Sequence, residues 1–303
     1  MKASLNNPVD IRQSDLWAKY LQELGWQAEK LNPNLFAYVK KIPIFGSLIK
    51  VPRVPLPLPF KEIDQLAASE NAIFVKFEPA IEMKDPAANK TLSLLKAHGF
   101  WQERWSLSPT KTIFVDLTKS EDVLLKEMEK DTRYNVRLAT RRGVGVKQTD
   151  DFKQFKDLYF ATARRKKFWP AKKELEVLWK VFSKERAASI LTTFYQEKPL
   201  ASTLLIDSNK AGHYQHAAST DQHREVMAPY LLLWEAMRFL KKKGCSILDL
   251  EGVYDQRIPS TKGWKGFTLF KKGFGGREVE YLGSFTKYYK LWAKILFYPS
   301  RFF

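Results

Sequence analysis

The chain has 303 residues, 45% of them hydrophobic and 14% aromatic, which supplies cores for two ordinary domains and excludes a disordered chain. A formal net charge of +18 favours polyanionic partners, either nucleic acid or an anionic membrane face. One cysteine excludes an internal disulfide and suits a reducing cytoplasm, and no apolar run approaches the ~18 residues of a membrane-spanning helix.

The opening MKASLNNPVDIRQSD lacks the apolar stretch of a secretory signal. Behind Ser14 and Asp15, Trp17, Tyr20, Leu21 and Leu24 recur at helical spacing. Strands are expected over 35–42 and 47–54, ended by PLPLP, which cannot be central strand. A helix over 60–72, a strand over 72–79, a helix ending at Gly99 and a strand over 112–118 follow. The stretch 121–143 reads as a long basic helix or helix pair, with further helices over 150–167 and 174–185. Three strands then come at hairpin spacing, over 188–196, 199–208 and 212–220, with turn-forming connectors. Pro229 and Gly244 punctuate a helix, and a strand over 246–253 follows it. The residues do not repeat, but the element order of the two halves is alike. Two copies of one α/β (α+β) topology are therefore expected.

The second half, helix then three antiparallel strands then helix then strand, has the layout of acyl-transferring domains of the GCN5-related N-acetyltransferase type. Such domains cradle a coenzyme A pyrophosphate on a glycine-rich turn before the last helix. Here that turn reads DQHREVMAP, without glycine, and Pro229 removes a backbone donor. A coenzyme A donor is therefore not expected.

Several side-chain groups stand out. Between Lys130 and Lys173 basic residues crowd together with few acids; Arg133, Arg137 and Arg141 form one helical stripe, and Arg165 lies in a second cluster beside Phe168 and Trp169. This is either a solvated face or a site for a polyphosphate such as RNA. The histidines show no metal-ligand spacing; His213 and His216, three apart on a strand, should face opposite ways. Asp249 is a strand-end carboxylate near a pocket, or a capping residue. Cys245 reads as a small buried hydrophobe. In the C-terminal FTKYYKLWAKILFYPSRFF, Tyr288, Trp292 and Ile295 share a helical face among lysines, suited to packing inward or to anionic lipid. Finally, GWKGFTLFKKGFGG (263–276) holds two lysines among aromatics and glycines. Read as a strand, it points Lys271 and Lys272 to opposite faces. Phe267, Phe270 and Phe274 would wall Lys271, and Gly273, Gly275 and Gly276 would let substrate approach the backbone.

Six blocks in order resemble the FemABX family of aminoacyl-tRNA-dependent ligases that build peptidoglycan cross-bridges. They are QSDLWAK with GW (within 12–26), TRYNVRLATRRGV (132–144), HYQHAAST (213–220), APYLLLWEA (228–236), LDLEG (248–252) and FKKGFGGREVEYLG (270–283). The resemblance implies two tandem GCN5-related N-acetyltransferase-like domains without the inserted helical hairpin of some members. The first would span 1–146 with 285–303, the second 147–284. It implies a cytoplasmic enzyme that moves an aminoacyl group from tRNA to an amine of a lipid-linked or nucleotide-linked precursor, without metal or cofactor, with contact to the inner membrane face. Lys271 matches the family's catalytic lysine and follows Phe270. Lys19 matches a lysine that binds precursor phosphates, and Tyr214 matches the strand tyrosine. His216 stands where a nucleotide-precursor enzyme has tyrosine. Together with Asp249 these are the expected substrate-binding residues, and Arg133, Arg137, Arg141 and Arg165 are the expected RNA contacts. The competing expectations are an acyl-CoA N-acyltransferase and a non-catalytic RNA- or membrane-binding module.

Overall fold

In the computed structural model, which describes residues 10–297, the chain forms two α/β units. The first holds residues 10–112, 252–264 and 279–297; the second holds Ile113–Glu251 and Lys265–Glu278. The expected boundary at 146/147 falls inside the second unit.

In the first unit, Ser14 accepts from the Trp17 N–H and starts α1 (Asp15–Glu23). β1 (Gln27–Asn32), β2 (Leu35–Ile42) and β3 (Gly46–Val54) follow as an antiparallel meander. α2 (Phe60–Ser69) crosses to β4 (Ala72–Pro79), which lies parallel to β3. α3 (Ala88–Ala97) and β5 (Trp101–Glu103) complete the segment.

In the second unit β6 (Lys111–Asp116) leads into α4 (Glu121–Glu127), α5 (Lys130–Arg141), β7 (Gly145–Thr149), α6 (Phe152–Lys166) and α7 (Lys172–Lys184). β8 (Ala188–Tyr195), β9 (Lys198–Ser208) and β10 (Ala211–Ser219) form the second meander. Both its turns are two residues long, with positive φ at Gln196, Glu197, Asn209 and Lys210, as tight hairpins of right-twisted strands require. Connections this short leave no room for an inserted helical hairpin. α8 (Ala228–Lys242) crosses to β11 (Ile247–Asp249), parallel to β10. The described residues close with α9 (Lys265–Lys272), β12 (Arg277–Glu280), β13 (Ser284–Tyr288) and α10 (Leu291–Phe297).

The two sheets follow one plan. Their orders are β1-β2-β3-β4-β13-β5 and β12-β6-β11-β10-β9-β8-β7. Each runs as an antiparallel meander, takes one parallel step across a helix, and is extended by an antiparallel strand from a remote part of the chain. This is the expected tandem acetyltransferase-like fold. In the first core Leu35, Val39, Val51, Val75, Phe77 and Phe285 are all buried. Cys245 is a buried thiol, which burial pushes up to about 11.

Two expectations about the C-terminal third are corrected. Residues 265–272 form a helix rather than a strand, so Lys271 and Lys272 are about 100° apart rather than opposed. Tyr288 belongs to β13, not to a helix shared with Trp292 and Ile295. Its hydroxyl donates to Glu103 (2.7 Å), which also accepts from Thr286 (2.8 Å) and from the buried Lys76 ammonium (2.7 Å). That buried carboxylate–lysine pair needs all these hydrogen bonds, and it locks β4, β5 and β13 together. The final YPSRFF and the initial MKASLNNPV lie outside the described residues. Among the described residues no helix is long and apolar enough to cross a membrane.

Candidate functional site

The site builds on the open end of the second sheet, where β10 and β11 run side by side. Their parallel register sets His213 opposite Asp249. Asp249 ends β11 and accepts from the Glu251 N–H at 2.7 Å, so the chain turns sharply there. Glu251 takes the turn at φ +58, a conformation that costs a non-glycine residue of order 1 kcal/mol and that concentrates at functional sites. Its carboxylate reaches back to His213, whose Nδ1 lies 2.8 Å from Oε1 and 3.8 Å from an Asp249 oxygen. The shorter contact places the ring proton on Nδ1, donating to Glu251.

A bulge on β10 adds a second histidine. Tyr214 pairs with Leu205 and His216 with Leu204, so Gln215 is the extra residue. His213 and His216 therefore oppose Ile206 and Leu204, two apart on β9, and share a face. The expectation that they point apart holds only for an unbulged strand, and it is corrected here. His216 packs edge-on against Tyr159 of α6, its Nδ1 3.4 Å from the phenol oxygen. Burial pushes its pKa down to about 4 against the pull of Glu251, so the ring is neutral at pH 7.

α9 brings the cation. Lys271 lies in its last turn, where the helix dipole favours positive charge, and is only 8% exposed. Its Nζ lies 3.4 Å from the Glu251 carbonyl oxygen and 5.0 Å from the centre of the Phe267 ring, one helical turn back. Burial lowers its pKa from 10.5 to about 8, opposed by the negative charges of Glu251 and then Asp249. Lys272 instead pairs at 2.6 Å with Glu278, both partly exposed. The site is thus a desolvated ammonium that remains mostly protonated at pH 7, supported by the charges of Glu251 and Asp249, with His213 held by Glu251 beside them.

The other expected residues are placed as follows. Asp249 acts on Lys271 through its charge, and His216 shares with the lysine the influence of Glu251. Tyr214 stands apart: it lies on the opposite face of β10, with Gly212 against Leu240 of α8, and it bonds Thr203. Phe270 stacks edge-on with Tyr230 and Phe274 (5.1 and 5.2 Å), and of the three expected walls it is Phe267 whose ring lies under the lysine. The glycines serve the protein's own packing. A Cβ at Gly273 would stand 2.2 Å from the Thr132 hydroxyl, and one at Gly276 2.6 Å from the Phe114 carbonyl oxygen. Lys19 is exposed on α1 of the first unit. Arg137 and Arg141 are exposed along α5. Arg133 is not an open contact: it donates to the carbonyls at the end of α4, 3.0 Å from that of Lys126, and so caps that helix. Arg165 donates to the Ser219 carbonyl and approaches Asp221 at 3.8 Å.

Glu251 and His213 were missed as site residues. The signal lay in LDLEG: acids two apart at a strand end fall on one side. Only the pairing of β10 with β11 adds the histidine. His213, Asp249 and Glu251 have ligand-type atoms within 4.8 Å of one another, contrary to the expectation that no histidine has acidic neighbours at metal-ligand spacing. In this cluster the positive charge opposite the carboxylates is Lys271.

The model of the FemAB family matches residues 10–175 and 172–298 of this chain. The lipid II:glycine glycyltransferase of Staphylococcus epidermidis (strain ATCC 35984) is 20% identical, over 91% of this chain and 87% of that protein. That of Staphylococcus aureus is 21% identical over the same shares. Among solved structures, the crystal structure of FemX superposes with a TM-score of 0.81 over 96% of this chain and 94% of that one, at 18% identity. A family match running through both units, with the FemX fold beneath it, shows that the chain belongs to the FemAB family.

Proposed function

We propose that this protein is an aminoacyltransferase that moves an amino acid from aminoacyl-tRNA to an amine on the stem peptide of a peptidoglycan precursor, extending a cross-bridge. The observation that carries the reading is Lys271, a cation kept charged at neutral pH in surroundings from which water is largely excluded. An aminoacyl ester is already activated, so catalysis requires alignment and a stabiliser for the charge that develops on the carbonyl oxygen. The amine nitrogen attacks the ester carbon, and the oxygen gains negative charge beside Lys271. The C–O bond to the ribose then breaks, and the proton lost by the amine ends on the released ribose hydroxyl. Low polarity around the ammonium strengthens its effect on the oxyanion.

Relatives named for transfer of glycine to lipid II, matched over 91% of this chain, support a lipid-linked acceptor. The exposed Arg137 and Arg141 suit a tRNA backbone, and Lys19 suits the precursor's phosphates. The enzyme would act at the cytoplasmic face of the membrane. Against an acyl-CoA donor stands the N-terminus of α8, where Met227 and Pro229 occupy the turn that a pyrophosphate cradle needs for glycine and backbone N–H groups.

The test is transfer from charged tRNA pools to lipid-linked and nucleotide-linked precursors, with product masses read out. Mass gain equal to one or more amino acids on the lipid-linked arm is expected. Transfer from acyl-CoA but from no charged tRNA would overturn the reading.

A further inference from the structure

The turn between β2 and β3 carries a residue that its own backbone disfavours. The Phe45 N–H donates to the Ile42 carbonyl at 3.2 Å, closing a four-residue turn with Pro43 second and Ile44 third. Ile44 has φ +70. Proline followed by a positive φ is the type II pattern, whose third position takes glycine or asparagine. A β-branched residue there is an outlier. Nothing inside the unit rewards the strain, because Ile44 is 100% exposed, and Phe45 beside it is 58% exposed.

This tip adjoins a second misplaced apolar surface. The Phe45 ring lies 6.1 Å from that of Trp292 on α10. α10 seats itself on the first unit through Ala293, which is fully buried, and turns Leu291, Trp292, Ile295 and Leu296 outward. Those four form two adjacent rows at i, i+4 spacing, so the helix presents its apolar stripe to solvent. Lysines border the patch: Lys41 near the end of β2, 64% exposed at its side chain and 3.6 Å from Glu70, the exposed Lys294, and the half-buried Lys290, whose ammonium donates to the Asn71 side chain.

We propose that the β2–β3 tip and α10 form one membrane-docking surface. Ile44 and Phe45 enter the acyl region of an anionic bilayer, α10 lies in the interface, and Lys41, Lys290 and Lys294 meet lipid phosphates. The lysines decide between a bilayer and a protein partner. Protein interface cores are depleted of lysine, whereas an apolar stripe edged by lysines matches the boundary between acyl chains and anionic headgroups. The strain at Ile44 is then the cost of projecting a branched side chain beyond the surface.

The docking surface goes beyond the transfer reaction and is tested without precursor. The full chain is titrated with vesicles of phosphatidylglycerol and phosphatidylcholine, and with phosphatidylcholine alone. Binding to the anionic vesicles only is expected, together with a blue shift and bromolipid quenching of the emission that Trp292→Phe removes. Ile44→Gly relieves the turn while deleting the wedge, so its melting point should equal or exceed that of the parent while vesicle affinity drops about tenfold. Ile295→Ser should weaken binding through α10, independently of the turn. Undiminished vesicle binding by both variants overturns the proposal, as does a concentration-dependent dimer that Ile44→Gly abolishes without any vesicle binding. Either result can occur with transfer to a detergent-solubilised precursor intact, so failure of the docking surface is distinguishable from failure of the proposed reaction.

Discussion

Replacing Lys271 with methionine separates the cost of its charge from its use. In the folded protein burial lowers the ammonium pKa from 10.5 to about 8, with Glu251 and Asp249 opposing the shift. A displacement of this size corresponds to roughly 3 kcal/mol. Between pH 8 and 10.5 the unfolded chain binds the proton that the folded chain has lost, so stability rises with pH across that window. Below pH 8 the fold therefore carries the charged lysine at a net cost. Methionine keeps the stem's volume and discards the desolvated cation, but it also leaves the buried Glu251 and Asp249 carboxylates without the charge opposite them, so at pH 7 the two effects oppose each other and stability should change by less than ~3 kcal/mol. Turnover should respond far more strongly, falling ~10²–10³-fold, the usual loss when one oxyanion donor is removed. Wild-type turnover should also decline above about pH 8 as the ammonium deprotonates, and the residual activity of the variant should lack that limb. Single-turnover transfer from charged tRNA across pH 6–10, with calorimetric melts of both proteins, measures all three quantities. Lys272→Met is the control: its partly exposed pair with Glu278 contributes at most ~1 kcal/mol, and turnover should stay within about threefold. If Lys271→Met keeps turnover within threefold of the parent, the oxyanion role is wrong.

Other substitutions probe the supports. Glu251→Gln removes the larger of the two charges that hold up the lysine pKa, so the alkaline limb of the turnover profile should move to lower pH; an unmoved limb would detach Glu251 from the site. Arg133→Gln should destabilise the fold by ~1.5–3 kcal/mol, because charged hydrogen bonds at the end of α4 are lost. Arg137→Gln with Arg141→Gln should leave stability unchanged and flatten the salt dependence of tRNA binding by about 0.7–0.9 per lost phosphate contact, and a salt-independent affinity would remove RNA from the account. Gly273→Ala should cost ~1–3 kcal/mol through collision with Thr132, and Thr132→Ala should restore most of it in a double-mutant cycle; additive losses would place the strain elsewhere.

Much of the architecture is written locally. Hydrophobic period, turn residues and helix punctuation depend on neighbours in sequence, so the second-unit meander, the crossover helix from Pro229 and the likeness of the two halves are legible without coordinates. The basic stripe of α5 and the lysine among aromatics are legible for the same reason. What the tertiary structure decided depends on residues far apart in the chain. β13 is held as a strand where Thr286 and Tyr288 donate their hydroxyls to Glu103, the partner of the buried Lys76, a demand arising some 180 residues away. GFTLFKK is apolar enough to pass for a strand, and the glycines that follow it, Gly273, Gly275 and Gly276, suggested room for substrate. In the fold the segment is a helix, and just beyond it Gly273 and Gly276 admit Thr132 and the Phe114 backbone. His213 and Glu251 meet because β10 and β11 pair in one parallel register, and His216 joins them through a single extra residue on β10. Side-chain facing on a strand reverses with every residue, so one bulge reassigns a whole face. Sequence period could suggest the lysine and LDLEG the two acids, but α9 meets those acids, and the histidines join them, only in the tertiary structure.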